Sequence, residues 1–275
     1  MIKVFLSVRN RLAITKMCIE SIKRHTTTPH QIYVYDNYTT HLVDEHFQYF
    51  CDLYKKGSIS QVTFTKPEAT FNAFSKASTC NFWGRQHEED PQKDSYFFLV
   101  MLDNDIILAP DWDMKLRQAW KFVAKNNLAN IKIIGQYPGG IKERDSATYK
   151  IGEIEAITGK LGGSGLWSVR PNFFKDVGFL NLKQLVGQDK RHDSLYWSSL
   201  GKSSNGKPYI MGLNTKMAFH CGGQFGSVCN ILTRNRSNPR REELITFKKS
   251  EELLQNVSFD EFYDSIKDNH ALCNW

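Results

Sequence analysis

The chain has 275 residues, of which 41% are hydrophobic and 24% charged, with a net charge of +7 and a pI of about 9.0. These proportions exclude a disordered or fibrous chain, and the length is enough to bury a core without disulfides or structural metals. The basic balance favours acidic partners such as nucleotide diphosphates, anionic lipid head groups or nucleic acid. The six cysteines (18, 51, 80, 221, 229 and 273) include no C-x-x-C pair, so neither a zinc cluster nor a thioredoxin-like site is signalled. The apolar opening MIKVFLSV ends at Arg9, too short for a signal-peptide core. Nothing later approaches the ~18 apolar residues of a membrane span. The expected location is cytoplasmic, with peripheral attachment left open.

Residues 2–8 (IKVFLSV) are a β-branched apolar run that reads as a buried strand. Over 11–25, Leu12, Ile14, Met17, Cys18, Ile19 and Ile22 recur at helical spacing. Pro29 ends that helix, and 31–35 (QIYVY) reads as a second strand leading into Asp36-Asn37. Strand, helix, strand within forty residues is a βαβ unit, which implies a parallel sheet with a right-handed crossover. The pattern repeats: a helix over 41–56, a strand over 61–64 and a helix over 68–87. The most apolar strand follows at 96–102 (YFFLVML), then a helix over 111–126 and a strand over 131–135.

Beyond 135 the strands are short, and glycines gather at 139–140, 159, 162–163 and 165. The tail from about 238 is charged and helical in pattern. The expected fold class is α/β: a mostly parallel sheet flanked by helices. The expected organisation is one domain over 1–237, with halves 1–135 and 136–237, and a helical extension over 238–275.

Asp103-Asn104-Asp105 carries the sharpest chemical signal. It follows a buried strand directly, so it stands at the carboxyl end of a parallel strand, where open α/β sheets bind ligands. Two carboxylates at i and i+2 on a turn can share one hard cation, Mg²⁺ or Mn²⁺, which would offset charge on a leaving diphosphate. Asp36 ends a neighbouring strand at the same edge, where it could accept from a ribose hydroxyl or a base N–H.

Four stretches together resemble the GT-A fold of nucleotide-sugar glycosyltransferases, in particular its large inverting family. They are IKVFLSVRNRLAITKMCIESIKRHT, IYVYDN, FFLVMLDNDIILAPDW and GGSGLWSVRPNFFKDVGFLN. The resemblance implies transfer of a sugar from a nucleoside-diphosphate sugar to an acceptor hydroxyl, with Mn²⁺ or Mg²⁺ as cofactor. It places Arg9, Asp36, Lys76, Asp103 and Asn104 at the donor, with Arg85 as a further donor-side candidate. Asp103, Asp105 and the late His220 are expected on the metal.

The family's Glu-Asp pair, whose aspartate is the general base, falls at Gln188-Asp189. Asp189 is therefore the expected base and Asp193 the runner-up; Gln188 departs from the pattern and leaves inversion open. Gly163, Ser164 and Trp167 are expected on the acceptor side, the acceptor being a glycan, lipid carrier, protein or modified nucleic acid. The cluster Arg234, Arg236, Arg240, Arg241, Lys248 and Lys249 is either a solvated face or a guide for anionic ligands. Two rivals stand behind this reading. A nucleotidyltransferase would need a glycine-rich loop where Ser7-Val8-Arg9-Asn10 stands. A non-catalytic sugar- or polyanion-binding protein would have been favoured by loss of Asp103 or Asp105.

Overall fold

The computed structural model describes residues 1–65, 76–136, 147–159, 165–179, 204, 207–221 and 251–268, apart from the side chains of 76–78. Its centre is a nine-stranded sheet. In chain order the strands and helices are β1 (Ile2–Val8), α1 (Leu12–His25), β2 (His30–Asp36), α2 (Val43–Lys55), β3 (Gln61–Phe64) and α3 (Lys76–Glu88). They continue with β4 (Leu99–Asp103), β5 (Ile106–Leu108), α4 (Trp112–Lys125), β6 (Ile133–Gln136), β7 (Thr148–Ile151), β8 (Ile154–Gly159), β9 (Leu166–Val169) and α5 (Phe173–Val177). The last are β10 (Ile210–Asn214), β11 (Ala218–His220) and α6 (Phe259–Ile266).

The sheet order is β3-β2-β1-β4-β9-β6-β10-β8-β7, and β5 pairs with β11 in a separate ribbon. Strands β3, β2, β1 and β4 run parallel to one another. Strand β9 is antiparallel to β4 and to β6, and β10 is parallel to β6. Strand β8 is antiparallel to both β10 and β7. Among the described residues only β9 and β8 therefore oppose the common direction, and the mostly parallel α/β sheet expected from the sequence is present.

Alternation along the strands divides the side chains between two cores. From β1, Ile2, Val4, Leu6 and Val8 face the larger core, while Phe5 faces the smaller; Val100 and Leu102 of β4 part from Leu99 and Met101 in the same way. Lys3 also lies in β1 and is fully buried, its ammonium held by Asp90 at 2.5 Å and by the Tyr33 ring at 4.5 Å. A charge inside a sheet survives only with such compensation.

Gly135 in β6 is required by close approach, since a Cβ there would come within 2.8 Å of the Leu166 carbonyl. Within the described residues the expected strands and helices are met up to β6, except that β4 opens at Leu99 and β5 was not expected; the C-terminal FDEFYDSI is α6. That helix opens with a capping box between Ser258 and Glu261.

Residues 251–268 are built into the body of the fold. Leu254, Phe259, Phe262 and Ile266 join the larger core, and Arg24 of α1 bonds Asp260 at 2.7 Å. Helix α1 has no side-chain cap of its own, because Arg11 precedes it in a left-handed conformation. The Glu251 carboxylate supplies the missing acceptor, taking the Ala13 N–H at 3.0 and 3.1 Å. Burial raises the Glu251 carboxyl, only partly offset by the Ala13 bond and by His41 and Lys16. A raised folded-state value means that its contribution is full below the ordinary glutamate range and declines as pH rises through the folded value. Glu251→Ala should therefore lose about 1 kcal/mol of unfolding free energy in urea. Glu251→Gln, which keeps an acceptor, should lose less. The wild-type advantage over Glu251→Gln should shrink as pH is raised from 4 to 7.

Candidate functional site

The register of the parallel strands brings the predicted residues to one edge. Val8 is level with Asp36, and Ser7 with both Tyr35 and Asp103. Chain segments leaving β1, β2 and β4 therefore meet at the carboxyl end of the sheet, as Asp36 and Asp103 imply from the sequence. The turn after β1 is clasped to the turn after β2 by Asn10. Its Oδ1 accepts the N–H groups of Thr40 (2.8 Å) and His41 (3.0 Å), and its own N–H donates to Thr39 Oγ1 at 3.1 Å. Asp36 is buried and its Oδ1 accepts the Thr39 N–H at 2.8 Å. Burial raises its carboxyl, and that bond only partly offsets the rise.

The D-N-D residues differ in burial, Asp103 half-buried and both Asn104 and Asp105 buried. Asp103 closes β4, half-buried, with its N–H donating to the Gly165 carbonyl at 3.1 Å. Asn104 and Asp105 form the turn into β5, whose partner strand β11 ends at His220, level with Ile106. The ribbon is held in place by Gln136, whose Oε1 accepts from the N–H groups of Met217 (2.7 Å) and Ala218 (2.6 Å). His220 is thereby brought to the turn, with Nε2 3.4 Å from Asp105 Oδ2. Burial would lower the imidazole, but the bond and charge of Asp105 outweigh it and leave it raised. Cys18 and Cys221 are buried nearby as packed thiols; burial first, then Asp105 and Asp103, pushes the Cys18 thiol up.

Arg11 is the residue that reasoning from the sequence missed. Only 8% exposed, it donates from Nη1 to Asp105 Oδ2 and from Nη2 to Asn104 Oδ1, both at 2.9 Å. Burial alone would raise the Asp105 carboxyl; Arg11 and His220 together hold it well below the usual carboxylate range. No spacing rule singles out Arg11 from Arg9, because the left-handed backbone at Asn10 (φ 53°) and Arg11 (φ 57°) is what turns the side chain inward.

Three of the expected residues are engaged with the protein itself. Asn104, expected at the donor, is 2% exposed and engaged with the protein at both ends of its amide: Oδ1 takes Arg11, while Nδ2 donates to Thr15 Oγ1 (2.8 Å) and the Asn10 carbonyl (3.2 Å). It ties the turn to the start of α1. Trp167, expected to meet an acceptor, is 4% exposed in β9 and packs edge-on to Phe173 in the smaller core. Arg85 lies in the last turn of α3, which descends from the candidate edge toward the opposite pole, and its guanidinium covers Phe179.

Arg9 follows β1 half-buried at the candidate edge, and Lys76 begins α3. Asp189, Asp193, Gly163, Ser164 and the basic cluster lie outside the described residues.

The oxygen and imidazole donors of Asp103, Asp105 and His220 suit Mn²⁺ or Mg²⁺ in kind. As arranged they do not enclose one: among the described residues no group of three or more His, Cys, Asp or Glu side chains is disposed to hold a metal ion. The Asp105 oxygen that faces His220 is already taken by Arg11.

The GT-A fold expected from the resemblance is the fold the chain has. The mannosyltransferase PcManGT from Pyrobaculum calidifontis, solved with GDP-Man and Mn²⁺, is similar over 99% of this chain and 69% of its own, at 12% identity and a TM-score of 0.54. GalNAc-T7, solved with UDP, GalNAc and Mn²⁺, is similar over 98% of this chain and 57% of its own, at 11% identity and 0.51. Residues 1–349 of S. aureus TarS, with UDP-GlcNAc, match 79% of this chain and 57% of theirs, at 12% identity and 0.48. The chain thus spans little more than half of the TarS and GalNAc-T7 chains, and at these identities the likeness to the mannosyltransferase and to GalNAc-T7 establishes the fold alone. No family model and no curated protein sequence matches the chain. Among the described residues no helix is long and apolar enough to cross a membrane.

Asp105→Asn, assayed by chemical unfolding in chelator, should cost about 3 kcal/mol, because it leaves the Arg11 charge buried without its counter-charge. The double variant with Arg11→Gln should recover part of that loss.

Proposed function

We propose that this chain is a glycosyltransferase that takes a sugar from a nucleoside-diphosphate donor bound at the edge formed by Asp36, Asp103 and Asp105. The observation that carries this reading is the convergence of those three carboxylates, with Arg11 and His220, at the carboxyl end of the parallel strands of a GT-A sheet. The similar mannosyltransferase and GalNAc-T7 structures, which hold nucleotides or a nucleotide sugar together with Mn²⁺, support it as analogy of fold.

In this reading residues 1–135 receive the donor and 136–237 the acceptor. Asp36, at the end of β2, is suited to accept from a ribose hydroxyl or base N–H. Arg9 and Lys76 serve the donor's phosphates. Mn²⁺ or Mg²⁺ is the proposed cofactor, with Asp103, Asp105 and His220 as its donors; when bound, it would supply charge compensation for a diphosphate leaving group. Asp189 is the proposed base, accepting the proton of the acceptor hydroxyl as its oxygen attacks the anomeric carbon, with Asp193 as the alternative. That direct displacement inverts the anomeric centre.

The test is a thermal-unfolding panel of nucleoside diphosphates and their sugars, each with Mn²⁺, with Mg²⁺ and with chelator. One nucleotide class should stabilise the protein, by about 2.7 kcal/mol at a hundred times its dissociation constant. The stabilisation should vanish in Asp103→Ala. Asp189→Asn should retain that shift and lose turnover by at least 100-fold, within the usual contribution of a general base. If no nucleotide shifts the transition in any metal condition, the transferase reading fails.

A further inference from the structure

We propose that the cleft between α4 and the amino-terminal end of β4 is a second binding site, for a small organic monophosphate: one phosphate group carried on an apolar body. It is separate from the candidate donor edge and does not depend on that reading. Phe97 and Phe98 precede β4, Asp103 ends it, and Arg170 follows β9, whose Val169 is level with Leu99. The length of β4, about 13 Å at the rise of a strand, therefore lies between the two places.

The sequence of α4 gives the cleft its charge. Arg117, Trp120, Lys121 and Ala124 stand at i, i+3, i+4 and i+7, so one helix face presents two cations beside a ring. Like charges at i, i+4 repel, and Arg170 brings a third cation to the same cleft. Asp94 is the one carboxylate on the lining among the described residues, and no ion pair joins it to any of the three. The lining thus carries an excess of positive charge that suits a phosphate dianion.

The two guanidiniums are placed as a receptor for oxyanions requires. Arg117 lies over the Phe97 ring at 4.3 Å, and Arg170 over the Trp120 ring at 5.3 Å. A guanidinium packed by its face on a ring keeps its N–H edge for other partners, and that edge matches pairs of phosphate oxygens. The Nε of Arg117 is buried with no acceptor among the described residues, so that donor is not spent on a structural bond. The cleft measures about 520 Å³, within the range of small-molecule sites, which leaves room for more than a phosphate group. Phe97, 48% exposed on its lining, and Pro171 offer apolar surface that the body of the ligand would cover.

Phenyl phosphate, inorganic phosphate and phenol are titrated separately into the full chain by calorimetry, with chelator present. Phenyl phosphate should bind one to one and more tightly than inorganic phosphate, and phenol should not bind. Arg117→Gln and Arg170→Gln should each weaken phenyl phosphate about tenfold or more, the usual worth of a charged hydrogen bond. Lys121→Glu, at an exposed position, should weaken it as much with an unchanged unfolding midpoint, which keeps the test decisive if an arginine variant fails to fold. Asp103→Ala, at the far end of β4, should bind phenyl phosphate as wild type does. No binding of phenyl phosphate to wild type overturns the proposal, as does binding that survives Lys121→Glu or is lost in Asp103→Ala. Inorganic phosphate binding as tightly as phenyl phosphate also overturns it, because the apolar lining would then contribute nothing.

Discussion

A buried carboxylate at the end of a β-strand has to be compensated, and the arrangement around Asp105 follows from that requirement. Arg11 reaches it from the turn after β1, His220 from the end of β11, and the N–H of Cys221 bonds its carbonyl at 2.9 Å. Each contact joins a segment distant in sequence to the same turn. Without them the charge would be isolated at low dielectric, at a cost of several kcal/mol. The ion pair therefore does more than neutralise charge: it fixes where the ribbon of β5 and β11 lies against the edge of the main sheet.

The supports behind that pair are polar and specific. Gln136 bonds the backbone of β11, Asn104 bonds the start of α1, and Asn10 holds the turns after β1 and β2 together. Glu251 closes the helix start beside Arg11 from the far end of the chain. Apolar packing brings these segments near one another, but it is non-directional. The hydrogen bonds decide which face each turn presents.

The separation of roles within D-N-D illustrates the same point. Asp103 ends β4 half-buried, Asp105 is paired inside, and Asn104 is spent on tying the turn. Asn104 and Asp105 thus share the Arg11 guanidinium inside the fold, while Asp103 stays half-buried at the strand end.

Much of this was legible in the sequence. Apolar alternation and helical spacing marked the strands and helices as far as β6 apart from β5, and the βαβ order implied the parallel sheet, because these are local patterns answering to the geometry of each element. The same logic put Asp36 and Asp103 at one edge, since both follow strands that must run in the same direction. Tertiary structure alone decided the rest. Arg11 was chosen over Arg9 by a left-handed turn that no periodicity marks. Trp167 went to the core because β9 lies between β4 and β6, a pairing that closes only over long range. Asn104 turned inward because α1 offered it Thr15. These choices depend on which groups meet after the sheet has formed, and a linear pattern of residue types carries no record of those meetings.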